Sequence, residues 1–424
     1  MSWSGIAAST SSYAIRRSTS GNIVTSHRAP SRSTAGSGIG CGMNSFGFTA
    51  PHFTYADQTL CTMAEKSAEE GADVTTTLDQ EGYRLHAWDT PLTWDRFPRP
   101  TPRTREVLVE VESCGVGLTV LNYLRGDLAK SGDHLPVVPG HELVGRVVAL
   151  GDGCDPELLE QRITAYFYLS CGRCRHCIAG WHPRCSALAG HVGVDRDGGY
   201  APYVALPELN VIPLPAGLDP VDATVVADAT ATPVHICGSR AHIGPGDRVA
   251  VLGAGGGVGA HLVQVVRVYG AEVVGIDVTP EKLELVEGLG VRAVAAGDLP
   301  HTSADTLFDT GAPTAIMDLV GANDTLRWAL DSVGTGGRVV VVTTFRDRGV
   351  DLSPRPMVLG ETAVRASRYA RRDELVTAAD LVRRGDVSPV IGSTVRPREV
   401  EQLHDMLRDG KLLGRGAIDW RATT

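Results

Sequence analysis

Four cysteines fall within 15 residues of one another, in Cys171-Gly172-Arg173-Cys174-Arg175-His176-Cys177 and then Cys185. Thiolates are soft ligands, and a C-x2-C turn presents two of them to one ion. Four sulfurs at about 2.3 Å satisfy a tetrahedral Zn²⁺ and leave it no open position. Cys171, Cys174, Cys177 and Cys185 are therefore read as a structural zinc site that ties a lobe together and does no chemistry. His176 and His182 lie within the cluster and are read as exposed bystanders. The other cysteines, Cys41, Cys61, Cys114, Cys154 and Cys237, are scattered. One cluster within an odd total argues for metal rather than a disulfide framework, and so for a reducing, cytoplasmic setting.

A second constellation is Gly253-Ala254-Gly255-Gly256-Gly257-Val258-Gly259. It follows the apolar run Val249–Leu252 and opens a segment with Leu262, Val263, Val265, Val266 and Tyr269 on one helical face. Glycine lets the backbone approach a pyrophosphate, and the free N–H groups of the helix N-terminus favour an anion there. The strict G-x-G-x-x-G frame ending at Gly259 begins at Ala254, which moves the tight turn to Gly253. Asp277 closes the next apolar run, 18 residues beyond Gly259. A carboxylate there accepts hydrogen bonds from ribose hydroxyls and repels a 2′-phosphate, which favours NAD over NADP. Gly253, Gly255, Gly256, Gly257, Val258, Gly259 and Asp277 are the cofactor-binding candidates.

The elements that must carry these residues follow from periodicity. Tyr83–Ala87 and Glu106–Glu112 alternate as half-buried strands do, and short strands separated by Pro-rich turns continue to about Pro215. Strands then alternate with helix-length segments: Arg248–Leu252, a helix through Tyr269, Glu272–Asp277, a helix from Pro280, Ala315–Leu319 and Arg338–Thr343. That is the rhythm of a parallel, doubly wound sheet. The last 55 or so residues read as helix Asp373–Arg384, strand Val390–Ser393, helix Pro397–Arg408 and a final strand near Ala417. A strand-rich domain is interrupted by a nucleotide-binding one.

From about Tyr83 to Trp420 the pieces resemble the medium-chain dehydrogenases of the zinc alcohol dehydrogenase type, in the family's order. Val137-Val138-Pro139-Gly140-His141-Glu142 is similar to the family's catalytic histidine segment. The cysteine lobe, Asp197-Gly198-Gly199-Tyr200-Ala201, the glycine-rich turn, Asp277, Gly336-Gly337-Arg338 and Gly414-Arg415 also match by position. The resemblance implies an α/β chain with a GroES-like strand-rich catalytic domain (77–229 and 367–424) interrupted by a Rossmann doubly wound parallel-sheet domain (230–366). It further implies a homodimer or homotetramer and a cleft between the domains. His141 and Asp228, with Glu142 beside them, are the implied ligands of a catalytic zinc. Thr119 is implied as the hydroxyl at the substrate oxygen, Asn122 as a proton relay, Phe167 as a substrate wall, and Thr232 and Arg415 as cofactor contacts.

One departure is conspicuous. The family's first catalytic ligand is a cysteine in a G-V-C-x-T-D pattern, and here the segment reads Gly115-Val116-Gly117-Leu118-Thr119-Val120. Cys114 stands three positions earlier, on the preceding strand, out of reach of the same metal. Three readings stay open. A metal on His141, Asp228 and Glu142 polarises an alcohol or carbonyl while Thr119 holds its oxygen. Alternatively, a metal-independent enzyme reduces an activated C=C bond of an enone or enoyl thioester, with Thr119, backbone N–H groups or Tyr123 holding the enolate oxygen. The third is a non-catalytic cofactor-binding protein. Arg368, Arg371 and Arg372, at the return from the nucleotide domain, meet a cofactor phosphate or form an exposed basic turn; His235 and Cys237 are read as packing.

Bulk composition agrees with a globular enzyme acting on a small molecule. The chain has 424 residues, 43% of them hydrophobic and 21% charged, enough for two cored domains. No apolar run approaches the roughly 18 residues of a membrane span. A net charge of -9, with no clustered basic face, argues against nucleic acid and anionic membranes as partners. Residues 1–76 are read as a disordered N-terminal extension; within 1–62 there are 12 Ser, 8 Thr and 4 Arg against Asp57 as the single acid. A misplaced start at Met1, with Met63 the true one, and an organelle targeting peptide are the two explanations of that segment.

Overall fold

The computed structural model describes residues 79–127, 132, 134–301, 304–343 and 349–422, so the N-terminal segment read as an extension lies outside the described residues. The chain opens with an antiparallel pair, β1 (Asp79–Arg84) and β2 (Thr93–Pro98). It continues through β3 (Glu106–Val116), β4 (Glu142–Leu150), β5 (Arg162–Ala165), β6 (Tyr203–Pro207) and β7 (Val211–Pro213). Six parallel strands follow, β8 (Arg248–Leu252), β9 (Glu272–Asp277), β10 (Arg292–Ala295), β11 (Ala315–Asp318), β12 (Arg338–Val341) and β13 (Ala363–Ala366). After helix Arg372–Arg384 the chain returns to the first sheet with β14 (Ile391–Val395), helix Val400–Arg408 and β15 (Arg415–Asp419).

The parallel sheet has the order β10-β9-β8-β11-β12-β13, and the other the order β14-β15-β3-β4-β5-β7 with β6 also on β3. The parallel sheet is apolar on both faces. Val249 and Val251 of β8 join a core with Leu262, Val265 and Val266, while Ala250 and Leu252 face Ile276, Phe308 and Ile316. That two-sided burial explains why its strands read as continuous apolar runs. The strand order reverses direction between β9 and β11 on either side of β8, and ligands of such sheets lie at the carboxyl ends of strands around that point.

Several elements differ from the pattern in the sequence. β1 ends at Arg84, and Leu85 instead forms an isolated bridge to Val137. Residues 397–399 make a 3₁₀ turn before the helix from Val400. The sequence pattern does not show β10, β13 or helix Pro354–Gly360; the two strands are half-buried edges of the sheet without a continuous apolar run. Between the sheets runs a continuous helical stretch with π-helical segments at Val226–Thr230 and His235–Ala241. Pro233 sits between them and cannot donate the i→i−4 bond, and local widening of the turn accommodates the loss.

Candidate active site

His141 enters the site because Gly140 precedes β4 with φ +95, a left-handed conformation that suits glycine. A Cβ at Gly140 would also stand 2.5 Å from the Tyr200 ring and 2.8 Å from Cys114 Sγ. Cys114 itself is fully buried in β3 among those neighbours, away from the cleft as expected. The His141 ring lies on Phe167, centroids 4.8 Å apart. Its Nε2 is 3.6 Å from Glu142 Oε1 and 4.0 Å from Asp228 Oδ2. Asp228 projects from the first π-helical segment, a frequent location for functional side chains.

Arg415 is the residue whose position the motif did not foretell. In the antiparallel ladder Gly416 pairs with Val116, so one step further Arg415 meets Gly117. Its Nη2 lies 2.5 Å from Asp228 Oδ2 and 3.1 Å from Glu142 Oε1. The second contact is an ion pair by distance without hydrogen-bond geometry, since both Glu142 oxygens lack a hydrogen-bond partner. A Cβ on Gly117 would fall 1.7 Å from Arg415 Nη1. Thr232, expected at the cofactor, donates its hydroxyl to Asp228 Oδ1 at 2.6 Å.

Electrostatics follow from burial and this one cation. Burial disfavours the Asp228 carboxylate, but Arg415, His141 and the Thr232 hydroxyl outweigh it and hold the group below its ordinary range. Glu142 is pushed up to about 8 by burial, against the pull of Arg415. Burial takes His141 down to about 4. Burial thus favours the neutral forms of Glu142 and His141, while Arg415 favours the charged form of Asp228.

The cleft at these groups runs into the glycine-rich turn. Gly117, Thr119, Asn122, Asp228 and Arg415 line it together with Gly256 to Gly259. Gly253 makes the tight turn with φ +83, as the shifted frame requires, and helix Gly259–Val268 begins directly after the turn. Asp277 accepts the Gly255 N–H at 2.8 Å, and Lys282, which the sequence did not single out, stands 3.9 Å from the other carboxylate oxygen and lines the cleft. Gly414 donates to the Gly255 carbonyl at 3.3 Å, so the turn and the start of β15 are joined.

Asn122, on the cleft wall, accepts from Arg125 at 2.6 Å. Other residues fall elsewhere. Tyr123, named as an oxyanion donor, is buried and gives its hydroxyl to the Val194 carbonyl, which removes it from that role. Arg368 donates to the Tyr168 hydroxyl, Arg371 pairs with Asp373, and Arg372 donates to the Val211 carbonyl. His235 is buried on Glu374 at 2.7 Å. His191, paired with Asp195 at 2.9 Å and packed on Phe167, was not anticipated because residues four apart in a loop carry no periodic signal.

Residues 103–216 match the alcohol dehydrogenase GroES-like domain, and residues 257–384 match the zinc-binding dehydrogenase domain. An alcohol dehydrogenase of Geobacillus stearothermophilus is 32% identical over 75% of this chain and 92% of its own length. The chain belongs to the zinc-binding alcohol dehydrogenase family. An acryloyl-coenzyme A reductase of Metallosphaera sedula is 26% identical over 74% of this chain and 92% of its own. The structure of an acetophenone reductase from Geotrichum candidum in complex with NAD has a TM-score of 0.71, with 25% identity over 82% of this chain and 98% of that one. This zinc-type dehydrogenase is accordingly a nicotinamide-dependent oxidoreductase of the medium-chain superfamily, with a GroES-like part and a Rossmann-like sheet.

The two metal positions of the dehydrogenase differ in fit. Cys174 Sγ is 3.5 Å from Cys177 Sγ and 4.0 Å from Cys185 Sγ, and all four cysteine sulfurs lie within 4.8 Å of one another. A tetrahedron with legs of about 2.3 Å has edges near ~3.8 Å, so this cluster fits zinc. Backbone N–H groups of Cys177 and Ser186 bring the Cys174 thiol down to about 5, towards the thiolate a metal needs. His141, Glu142 and Asp228 also lie within 4.8 Å of one another, but the guanidinium already stands between the two carboxylates. A zinc on these donors would have to displace it from both carboxylates, since Arg415 already uses the oxygens a metal would take. With Arg415 in this place the three donors offer a catalytic zinc no free carboxylate.

Proposed function

We propose that this dehydrogenase transfers hydride between NAD and the carbon of a small or medium, neutral alcohol, aldehyde or ketone. The observation that carries this reading is the single cleft in which the glycine-rich turn, Thr119 and the Arg415–Asp228 pair face one another. The turn suits a pyrophosphate, because Gly256 to Gly259 bring backbone to the cleft at a helix N-terminus. A bound nicotinamide would supply or take the hydride. Thr119 would hydrogen-bond the substrate oxygen, and the apolar Phe167 and Leu118 would wall the carbon side, which favours an uncharged substrate. Gly253, Gly255 and Val258 complete the proposed cofactor turn. Family membership supports a homodimer or homotetramer, and the clustered, odd cysteine count supports a cytoplasmic setting.

Asp277 is the basis for preferring NAD. Its carboxylate, 6% exposed, closes β9 beside the turn, where a 2′-phosphate would meet like charge. Initial rates of alcohol oxidation with each cofactor should give kcat/KM at least ~10-fold higher for NAD than for NADP, and Asp277→Ala should narrow that ratio. Equal rates in the wild-type protein would overturn the preference. A second reading, reduction of an activated C=C bond, is favoured by the displaced cation site and by the acryloyl-coenzyme A reductase among the relatives. It predicts turnover of enones or enoyl thioesters with no alcohol oxidation.

A further inference from the structure

We infer that Arg415 is the fixed cation of this reaction site, its guanidinium seated on Asp228 and Glu142 where a catalytic metal would otherwise stand, and that Gly117 is the residue that makes room for it. Three independent observations converge. The sequence has glycine at 117 and aspartate at 228, so the pocket offers a metal no thiolate. The β15 register on β3 delivers Arg415 opposite Gly117. A Cβ at 117 would lie 1.7 Å from Nη1 and 2.7 Å from Cζ, so a side chain there requires the guanidinium to swing off this position. Glycine at 117 leaves the guanidinium free to stay seated on Asp228.

The arrangement is also chemically sufficient. Nη2 carries the contacts to both carboxylates, Nη1 faces Gly117 on the cleft side, and Nε has no hydrogen-bond partner although the side chain is only 5% exposed. A guanidinium is a permanent cation with five N–H donors in a rigid fork, and Asp228 fixes its orientation through one arm. In carbonyl reduction a bound, reduced nicotinamide would supply hydride, with its electron pair, to the carbon. The C=O π pair moves to oxygen, which takes a proton from water. Arg415 and Thr119 stabilise the charge on that oxygen before the proton arrives, and Arg415 itself transfers none. The same donors would hold the enolate oxygen in a conjugate reduction. This inference rests on the hydride-transfer reading only for its rate predictions; its metal predictions stand apart from it.

The test uses the full chain, expressed with zinc and without chelator. Elemental analysis should find one zinc per wild-type chain, held by the cysteine lobe. Gly117→Cys combined with Arg415→Ala should raise the content to two, and cobalt in place of zinc should then give a thiolate-to-metal absorption band that the wild type lacks in this second site. Two zincs in the wild type, with one lost on His141→Ala, would overturn the proposal. If the double variant fails to fold, the wild-type pair of measurements still decides. Kinetics supply the second arm: Arg415→Gln should lower kcat at saturating NAD roughly 10²–10³-fold with a smaller change in cofactor affinity. A loss confined to cofactor KM, with kcat kept, would make Arg415 a phosphate contact only and would also contradict the inference. Absence of turnover by the wild type would count against the proposed function and leave the zinc count to judge this one.

Discussion

At the scale of single residues, charge is placed where a neighbour fixes it. Asp247 begins the approach to β8 and accepts from Arg338 at 2.7 Å, Thr314 at 2.7 Å and the Gly244 N–H at 3.0 Å. Burial raises its carboxyl, but the bonds from Arg338 and Thr314 win and hold it below the ordinary range. A carboxyl lowered by folding stabilises the protein fully above its unfolded value and loses that contribution as pH falls through the folded one. Asp247→Asn should therefore destabilise by about 2 kcal/mol near pH 7, as hydrogen bonds to a charged group do. Urea midpoints of both proteins should draw together as pH falls through and below the carboxylate range. A gap that stays constant with pH would show that the charge of Asp247 contributes nothing. Arg415 follows the same logic inside the cleft, where the carboxylate of Asp228 is held charged by the guanidinium beside it.

At the scale of elements, the cysteine lobe stands out because it has little regular structure to hold it. Residues 171–185 contain one four-residue helix and one three-residue turn, so their fixed shape depends on what the sulfurs bind. Cys185→Ser should lower zinc by one per chain and reduce the melting temperature by on the order of 10 °C, because a structural metal contributes folding free energy directly. Unchanged zinc content would remove the metal from the lobe. This lobe and the glycine-rich turn were legible in the sequence because each is local: ligand spacing and a strand-turn-helix context lie within about twenty residues. The edge strands β10 and β13 were not: they are only half-buried and lack the continuous apolar run of the equally short inner strands β11 and β12. Arg415 was legible as a residue and illegible as a cation between carboxylates, because its place depends on β15 lying against β3, some 300 positions earlier in the chain. Thr232 is the same case: the helical widening around Asp228 turns its hydroxyl to the carboxylate, and no spacing rule announces that.

At the scale of the whole molecule, the parallel sheet and the returning strands β14 and β15 meet along the cleft, with Gly414 bonded to the turn at Gly255. The glycine-rich turn and the strand that carries Arg415 are thereby joined at the cleft. Among the described residues no helix is long and apolar enough to cross a membrane. The central claim is that this cleft passes hydride between a nicotinamide and a substrate carbon. It is tested most directly by titrating the full chain with NADH and then adding a panel of short aldehydes, ketones and enones while following absorbance of the reduced cofactor. Saturable NADH binding and stoichiometric consumption with at least one carbonyl are expected, at a kcat in the ordinary enzymatic range of roughly 1–10³ per second. Tight NADH binding with no consumption by any member of the panel would contradict the claim and would leave a protein that holds the cofactor without using it.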